Sequence, residues 1–406
     1  MKQKFKLAKD CQSAAGERAF ASGQAFDKDV ITAWATGQLD TSTLHLEGDG
    51  AINPSVLRNE LEALIEKSPD FQKLHAHPLM QKDFGAIVNR TQLPPEVLLH
   101  LAVMRTMNRH LFEKSLVGAW LSLLLAMVLE FDRKDTDLAW RAALLRDLGM
   151  LYADPEVASQ DSKVRLDSVM RAEMQQHSQT GAEVLERTGR SELAPVAEIV
   201  LAHHERVDGS GYPRGIHGLD FLPVARIVAL VDVVVAIRLR PTSFGDIQLA
   251  DVIYVLLMDR SGFDSSIFDR FLALARGAAS EIEDEDHTVF RRAQQLHVRS
   301  QLLQERVYEI DEKLRSRTLP KGSAADLRER GRRTFDILNR SGILDKEVQW
   351  WLKKVASGRD QSDAETMKEI ELQQLEIARQ LDRIEIDLSN GPDVLSFSDV
   401  ANRRPT

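Results

Sequence analysis

The stretch from His203 to Pro213 constrains this chain more than any other, and it reads His-His-Glu-Arg-Val-Asp-Gly-Ser-Gly-Tyr-Pro. From Pro195 onward, the apolar residues recur at helical spacing, which predicts a helix that carries the two histidines at its C-terminal end. Gly209 and Gly211 then predict a turn, because glycine tolerates backbone conformations that strain other residues. The chain must therefore place two adjacent imidazoles where a helix meets a sharply turning loop.

The two histidines indicate a metal site. Neutral imidazoles are good metal ligands, and we expect Glu205 and Asp208 to orient His203 and His204 by accepting hydrogen bonds from their rings. Two adjacent histidines alone are also typical of an ordinary helix end followed by a loop. The longer stretch is needed to choose between these interpretations.

The complete stretch resembles the signature of the HD-GYP family, helical metal-dependent phosphohydrolases that hydrolyse the bacterial messenger cyclic di-GMP. The resemblance extends from about Pro95 to Gly277. It implies an all-α fold with an HD-domain-like helical core. It also implies that the loop binds the ligand, through Arg206, Asp208, Gly209, Gly211, Tyr212 and Pro213.

The family's metal ligands map onto this sequence in chain order. The matching residues are Asp147, His177, His203, His204 and Asp232. The resemblance makes Asp147, His203 and His204 the expected catalytic residues. Taken alone, His177 also fits a core histidine with satisfied hydrogen bonds. Asp232 lies on an otherwise apolar stripe and also fits one half of a buried ion pair, because an unpaired buried carboxylate is costly.

Three positions depart from the family's pattern. Lys114 stands at the first histidine, Arg146 at the histidine of the His-Asp pair, and Met150 at a lysine associated with handling the phosphate. Lys114 and Arg146 would place fixed positive charge beside Asp147 and Asp232, where one divalent cation would otherwise lie. We therefore expect at most one divalent metal, such as iron or manganese. The ligands that remain for it are Asp147, His177, His203 and His204.

Two functions follow from the resemblance, and both describe a bacterial signalling protein. In the first, the pocket binds cyclic di-GMP or a related dinucleotide, hydrolysis is weakened or lost, and the Gly-Tyr-Pro loop serves a protein partner or senses the nucleotide. In the second, one metal activates water for attack on a phosphodiester. Two-metal hydrolysis benefits from holding both the attacking and the departing oxygen, so the loss of one metal is expected to cost much of the rate.

Composition limits the remaining classes. The net charge of −9 argues against a binder of nucleic acid polymers. The single cysteine, Cys11, leaves no intrachain disulfide and no cysteine metal cluster. No signal peptide is recognisable, and the nearly uncharged run from Leu116 to Leu129 is too short to span a bilayer. We therefore expect a cytoplasmic protein that does not enter a membrane.

Three regions are predicted from the chain's 406 residues. Residues 1–94 form a small mixed accessory region, in which Asn53 and Pro54 predict a helix start. Residues 95–280 form the HD-GYP-like domain, in which Gly149 is expected to cap a helix at its C-terminal end. Residues 281–406 form a helical, coiled-coil-like extension with a loose tail after Ser389.

The C-terminal extension contains two heptad stripes. The first consists of Val289, Ala293, Leu296, Ser300, Leu303, Val307, Ile310 and Leu314, and the second of Met367, Ile370, Gln374, Ile377, Leu381, Ile384 and Leu388. They predict either a homodimer seam or two helices that pack against each other within one chain. The sequence leaves both alternatives open, because both bury the same residues.

Overall fold

The computed structural model describes residues 6–24, 30, 33, 38–40, 46–47, 52–154, 157, 168–239, 247–278, 286–315, 324–357 and 364–389. Helices dominate this part of the chain, and the predicted all-α class is confirmed. The described residues divide between two compact units. The first lies within Met1–Val164, Glu173–Leu239 and Gly262–Phe271, and the second within Arg165–Ala172, Arg240–Ser261 and Leu272–Thr406.

The first unit begins with four short strands. The pairs β1 with β4 and β2 with β3 are both antiparallel. The strands are β1 (Lys6–Leu7), β2 (Cys11–Gln12), β3 (Arg18–Phe20) and β4 (Leu46–Glu47). They account for the predicted mixed character of this region.

The other elements of the described residues as far as residue 277 are helices. In chain order they are α1 (Pro54–Ile65), α2 (Pro69–His75), α3 (Pro78–Arg90), α4 (Pro95–Met107), α5 (Arg109–Val128), α6 (Arg133–Leu145), α7 (Ser168–Glu186), α8 (Ala194–Ala202), α9 (Pro223–Arg238), α10 (Leu249–Met258) and α11 (Ser265–Gly277). Three short 3₁₀ helices lie between them, at Leu148–Tyr152, Ser191–Leu193 and Arg260–Gly262. The predicted start of α1 is confirmed, because the Asn53 side chain accepts a hydrogen bond from the Val56 amide at 2.9 Å.

Helix α5 forms the centre of the first unit. Its residues are buried nearly all round from Leu116 to Ala126, as a helix that is apolar on every side requires. Among the described helices it is the one with the length and apolar character of a membrane span, and 78% of its most apolar window is buried inside the protein.

Gly149 does not cap a helix, so that prediction is wrong. Helix α6 ends at Leu145, and Gly149 lies inside the following 3₁₀ helix. A Cβ atom at Gly149 would lie 1.9 Å from the carbonyl oxygen of His177 and 2.7 Å from the amide nitrogen of Gly181. The glycine therefore lets the backbone of α7 approach the segment that follows Asp147.

A buried ion pair joins α2 to the end of α9. Both oxygens of Asp70 accept hydrogen bonds from Arg238, each at 2.9 Å. The Arg238 guanidinium also lies 4.6 Å from the centre of the Phe71 ring. Since both charged side chains are nearly inaccessible to solvent, this pair fixes the N-terminal helices to the helix that carries Asp232.

A second polar contact holds the 3₁₀ helix after Asp147. His100 on α4 lies 2.6 Å from the Glu96 carbonyl oxygen through Nδ1 and 2.8 Å from the Tyr152 hydroxyl through Nε2. A carbonyl oxygen can only accept, so Nδ1 carries the proton and Nε2 accepts from Tyr152. Burial lowers the pKa of His100 to about 4.

The low pKa of His100 predicts acid sensitivity. Between about pH 6.5 and pH 4 the unfolded chain holds a proton that the folded protein lacks, so lowering the pH through this window lowers the free energy of unfolding. The contribution reaches about 3 kcal/mol. Urea unfolding at a series of pH values should therefore give a shallower pH dependence for His100→Gln than for the parent. The exposed His217→Gln should match the parent, and equal slopes for all three proteins would contradict the assignment.

The second unit contains the two heptad stripes on helices α12 (Asp286–Arg315) and α15 (Ala364–Ser389), with α13 (Ala324–Ser341) and α14 (Lys346–Ala356) packed beside them. Residues of both stripes lie in one buried cluster of a single chain. Gln374 donates hydrogen bonds to the Leu296 carbonyl at 2.9 Å and to the Ser300 hydroxyl at 2.6 Å, which sets the register of α15 against α12. The contacts favour the intrachain alternative over the dimer seam.

The three predicted regions are not separately tested by these contacts. The N-terminal boundary falls at Pro95, where α4 begins. The boundary at 280–281 and the tail after Ser389 lie outside the described residues.

Candidate metal centre

Three histidine side chains meet in the first unit. His177 lies on α7, while His203 and His204 follow directly after the last residue of α8. The Nε2 atom of His177 lies 3.2 Å from Nε2 of His203 and 3.2 Å from Nε2 of His204. The potential ligand atoms of the three histidines all lie within 4.8 Å of one another, which is compact enough to hold a metal ion.

Backbone carbonyl groups orient two of the three rings. Nδ1 of His203 lies 2.6 Å from the Val200 carbonyl oxygen, and Nδ1 of His177 contacts the Met174 carbonyl oxygen. In each case Nδ1 must donate, so Nε2 presents a lone pair to the centre of the cluster. The expectation that Glu205 accepts a hydrogen bond directly from a histidine ring is wrong, since its oxygens accept hydrogen bonds from two backbone amides instead.

The cluster fits a divalent metal. Nitrogen lone pairs that face one another at 3.2 Å repel unless a cation lies between them. Burial and the nearby His177 lower the pKa of His203 to about 4, which keeps this ring neutral and able to ligate. Oδ1 of Asp147 lies 3.7 Å from Nε2 of His177 and so borders the same centre. The donor set is thus three imidazole nitrogens with a carboxylate beside them.

Arg146 connects the two carboxylates of the site. Its Nε atom lies 2.9 Å from Oδ1 of Asp232, and its Nη2 atom lies 3.3 Å from Oδ2 of Asp147. It also donates hydrogen bonds to the carbonyl oxygens of Ala143 at 2.7 Å and Lys114 at 3.3 Å. The side chain is 1% exposed. The expected placement of positive charge beside both aspartates is therefore observed for Arg146.

The electrostatic effect of this pairing is strongest at Asp232. Burial alone would raise its pKa, but the charges of His204 and Arg146 hold the pKa of this carboxyl well below its usual range. The pKa of Arg146 is raised despite burial, because Asp147 and Asp232 stabilise its charged form. Asp232 is thereby kept ionised next to a permanent cation. His204 also faces this carboxylate, with Nδ1 at 3.5 Å from Oδ2 of Asp232.

Gly118 provides the space for Arg146, and the sequence analysis missed it. A Cβ atom at this position would lie 2.5 Å from Nη1 and 3.0 Å from Cζ of Arg146. Gly118 lies one helical turn after Lys114 on α5. The available signal was a glycine inside an otherwise bulky, apolar helix.

Met150, the third position that departs from the family's pattern, lies away from solvent. Met150 is fully buried within the 3₁₀ helix after Asp147. A thioether in this place cannot supply the positive charge that the family's lysine offers to a phosphate.

The loop expected to bind the ligand folds back onto the histidine pair. The Tyr212 ring stacks on the His204 ring, with centroids 4.6 Å apart. Asp208 accepts hydrogen bonds from the amide and hydroxyl groups of Ser210, and Gly209 adopts a φ of 77°. Arg206 lies over the Phe263 ring at 5.1 Å. Of the predicted loop residues, Tyr212 thus covers one ring of the cluster, and Pro213 follows Tyr212 within the same loop.

Comparison with known proteins agrees with this geometry. The family model described as "HD domain" matches residues 96–243. Residues 96–243 form an HD domain. This HD domain contains all five of the expected ligand positions, and the resemblance to HD-GYP phosphohydrolases is confirmed at the level of the family.

Curated relatives of the HD domain are cyclic dinucleotide phosphodiesterases. A 3'3'-cGAMP-specific phosphodiesterase 2 of Vibrio cholerae is 34% identical over 34% of this chain and 26% of its own length. A cyclic di-GMP phosphodiesterase of Pseudomonas aeruginosa is 29% identical over 49% of this chain and 46% of its own. The cyclic di-GMP phosphodiesterase response regulator RpfG of Xanthomonas campestris is 32% identical over 38% and 40%. The chain spans between about a quarter and a half of the length of these relatives.

Proposed function

We propose that this protein is a bacterial signalling protein whose HD domain binds cyclic di-GMP or a related dinucleotide, with hydrolysis weakened or lost. The observation that carries the proposal is the buried Arg146 guanidinium between Asp147 and Asp232. A fixed cation there occupies the position that a second divalent metal would need. The homologues described above support a cyclic dinucleotide as the ligand class.

Arg146 itself is not proposed to touch the nucleotide. It is almost completely buried and has two carboxylates and two carbonyl oxygens as partners. Its role is to pair with Asp147 and Asp232 and to hold both carboxylates in place without a metal. The proposed nucleotide contacts are the loop residues around Tyr212, whose ring stacks on the His204 ring.

The histidine cluster supports a second candidate, a cyclic di-GMP phosphodiesterase that uses one metal. His177, His203 and His204 would hold the ion together with Asp147. Such an ion, iron or manganese in our proposal, would supply an activated water for attack on the phosphodiester. The chain's own contribution would be to keep the imidazoles neutral and their Nε2 atoms directed at the centre.

Metal analysis of the purified full-length protein separates these candidates. We expect one metal ion per chain or none, because Arg146 excludes the second. The substitution Lys114→His with Arg146→His should raise the metal content and the rate of cyclic di-GMP hydrolysis, since it restores both missing imidazoles. Lys114→His alone is the matched control and should change neither, because Arg146 remains between the carboxylates. Two metal ions in the parent protein would contradict the proposal.

The same samples test the ligand. Titration calorimetry with cyclic di-GMP should detect binding by the parent protein, whereas product analysis should detect little or no linear dinucleotide. Binding with measurable turnover at one metal per chain would favour the single-metal enzyme. Absence of binding to cyclic di-GMP, cyclic di-AMP and 3'3'-cGAMP would contradict both candidates.

The remaining parts of the proposal concern location and partners. A cytoplasmic location and a protein partner at the Gly-Tyr-Pro loop both fit a signalling role. Self-association through the C-terminal helices stays a prediction, and the burial of both heptad stripes within one chain gives it no support.

A further inference from the structure

We propose that Glu205 is a positioning residue that holds the loop from Asp208 to His217 against the histidine pair and thereby fixes the His204 ring. The proposal rests on the proposed function only in taking the histidine cluster as the working site. It concerns contacts of this chain's own residues, and those can be measured with no metal or nucleotide present.

The Glu205 carboxylate is completely buried and binds the second half of the loop, which contains Arg214 and Ile216. Its Oε1 atom accepts a hydrogen bond from the Arg214 amide at 2.7 Å, and its Oε2 atom accepts one from the Ile216 amide at 3.0 Å. Hydrogen bonds to an ionised acceptor are about twice as strong as those between neutral groups. A buried carboxylate with two such bonds therefore anchors the loop at Arg214 and Ile216.

The first half of the loop, at Gly211 and Tyr212, contacts the backbone around Glu205 directly. The Tyr212 amide donates a hydrogen bond to the His204 carbonyl oxygen at 3.2 Å. A Cβ atom at Gly211 would lie 2.4 Å from the Arg206 amide nitrogen and 2.4 Å from Cα of Glu205. No larger residue fits there, so the chain at Gly211 is in backbone contact with the segment that carries the histidines.

The loop matters most for His204, because its ring is oriented differently from the other two. His177 and His203 are each fixed by an Nδ1 hydrogen bond to a backbone carbonyl oxygen. Nδ1 of His204 instead faces Asp232 at 3.5 Å, and the face of the ring is covered by Tyr212 at an interplanar angle of 26°. The orientation of His204 thus depends on where the loop holds Tyr212.

These contacts link Glu205 to His204, one of the proposed metal ligands. Glu205 anchors Arg214 and Ile216, the anchored loop places Tyr212, and Tyr212 stacks on His204. Loss of a group that orients a metal ligand typically weakens metal binding by about 10- to 100-fold. The hydrogen bonds of the Glu205 carboxylate go to loop amides, so its effect on His204 must pass through the loop.

The test compares Glu205→Gln with the parent full-length protein. The glutamine keeps the size of the side chain but turns one acceptor into a donor that faces a backbone amide. In metal-free protein we expect faster hydrogen exchange at the Tyr212, Arg214 and Ile216 amides and a shifted ring signal of His204 in NMR spectra, with the His177 signal unchanged. The dissociation constant for Mn²⁺ should rise at least about tenfold.

Two further variants make the result specific. Glu198→Gln, on the exposed side of α8, should leave all three measurements unchanged. Tyr212→Leu should shift the His204 signal and weaken Mn²⁺ binding while the Arg214 and Ile216 amides remain protected, and it serves as the decisive variant if Glu205→Gln does not fold. Unchanged exchange in Glu205→Gln, or faster exchange with an unchanged His204 signal, would overturn the proposal. A parent protein that binds no Mn²⁺ would instead count against the single-metal candidate, and exchange and NMR would still decide the role of Glu205.

Discussion

Replacing Arg146 with alanine should lower the free energy of unfolding by about 3–5 kcal/mol. The guanidinium is 1% exposed and forms ion pairs with both Asp147 and Asp232. Its removal would leave two buried carboxylates close to each other without a compensating cation. It would also leave the carbonyl oxygens of Ala143 and Lys114 without the donor that now reaches them.

Urea unfolding followed by circular dichroism measures this effect. Arg141→Ala, on the helix that ends one residue before Arg146, is a suitable control, because Arg141 is partly exposed. It should change the free energy of unfolding by no more than about 0.5 kcal/mol. Equal stability of Arg146→Ala and the parent would show that the two aspartates need no cation. Added Mn²⁺ that restores the stability of Arg146→Ala would further support the view that the arginine stands in for a metal.

Breaking the pair between Asp70 and Arg238 should cost a comparable amount, about 3–5 kcal/mol, in the variant Arg238→Ala. Asp70 would keep a buried negative charge whose two oxygens lose the hydrogen bonds from Arg238. The contact between the guanidinium and Phe71 would be lost as well. Because Arg238 ends the helix that carries Asp232, we also expect weaker protection of the α9 amides in hydrogen exchange.

A double variant separates the charge from the packing. Asp70→Leu with Arg238→Met replaces both partners with apolar side chains of similar size, and such replacements of buried pairs are often neutral or stabilising. We expect the double variant to be more stable than Arg238→Ala in the same urea titration. A double variant as unstable as the single one would mean that the pair contributes through shape and hydrogen-bond geometry rather than by avoiding an isolated charge.

The sequence predicts the parts of this fold that depend on local pattern. The helix before His203, the helix start at Asn53 and the convergence of His177 with the histidine pair all follow from periodicity, capping chemistry and the family resemblance. The partners of Glu205 do not, because they are two backbone amides that reach the carboxylate only after the loop has folded back. The role of Gly149 depends in the same way on the approach of another helix.

The two heptad stripes show a different limit of structure prediction from the sequence. An apolar repeat states which face of a helix is buried but not whether the covering helix belongs to the same chain. The contact between Gln374 and Ser300 favours the intrachain alternative, since both residues belong to one molecule. From the sequence, these two residues were polar interruptions in apolar stripes, and only their pairing reveals that they match each other.

The buried position of the Arg146 side chain depends on the small volume of Gly118, so the two residues are expected to occur together. An HD domain that acquired Arg146 with a larger residue at 118 would have to push the guanidinium away from the aspartates, because even a methyl group there would collide with it. A glycine at this point of the helix and an arginine before the aspartate therefore form a recognisable pair. A search of related sequences for that pair would find other HD domains in which an arginine side chain is expected to stand in place of a metal ion.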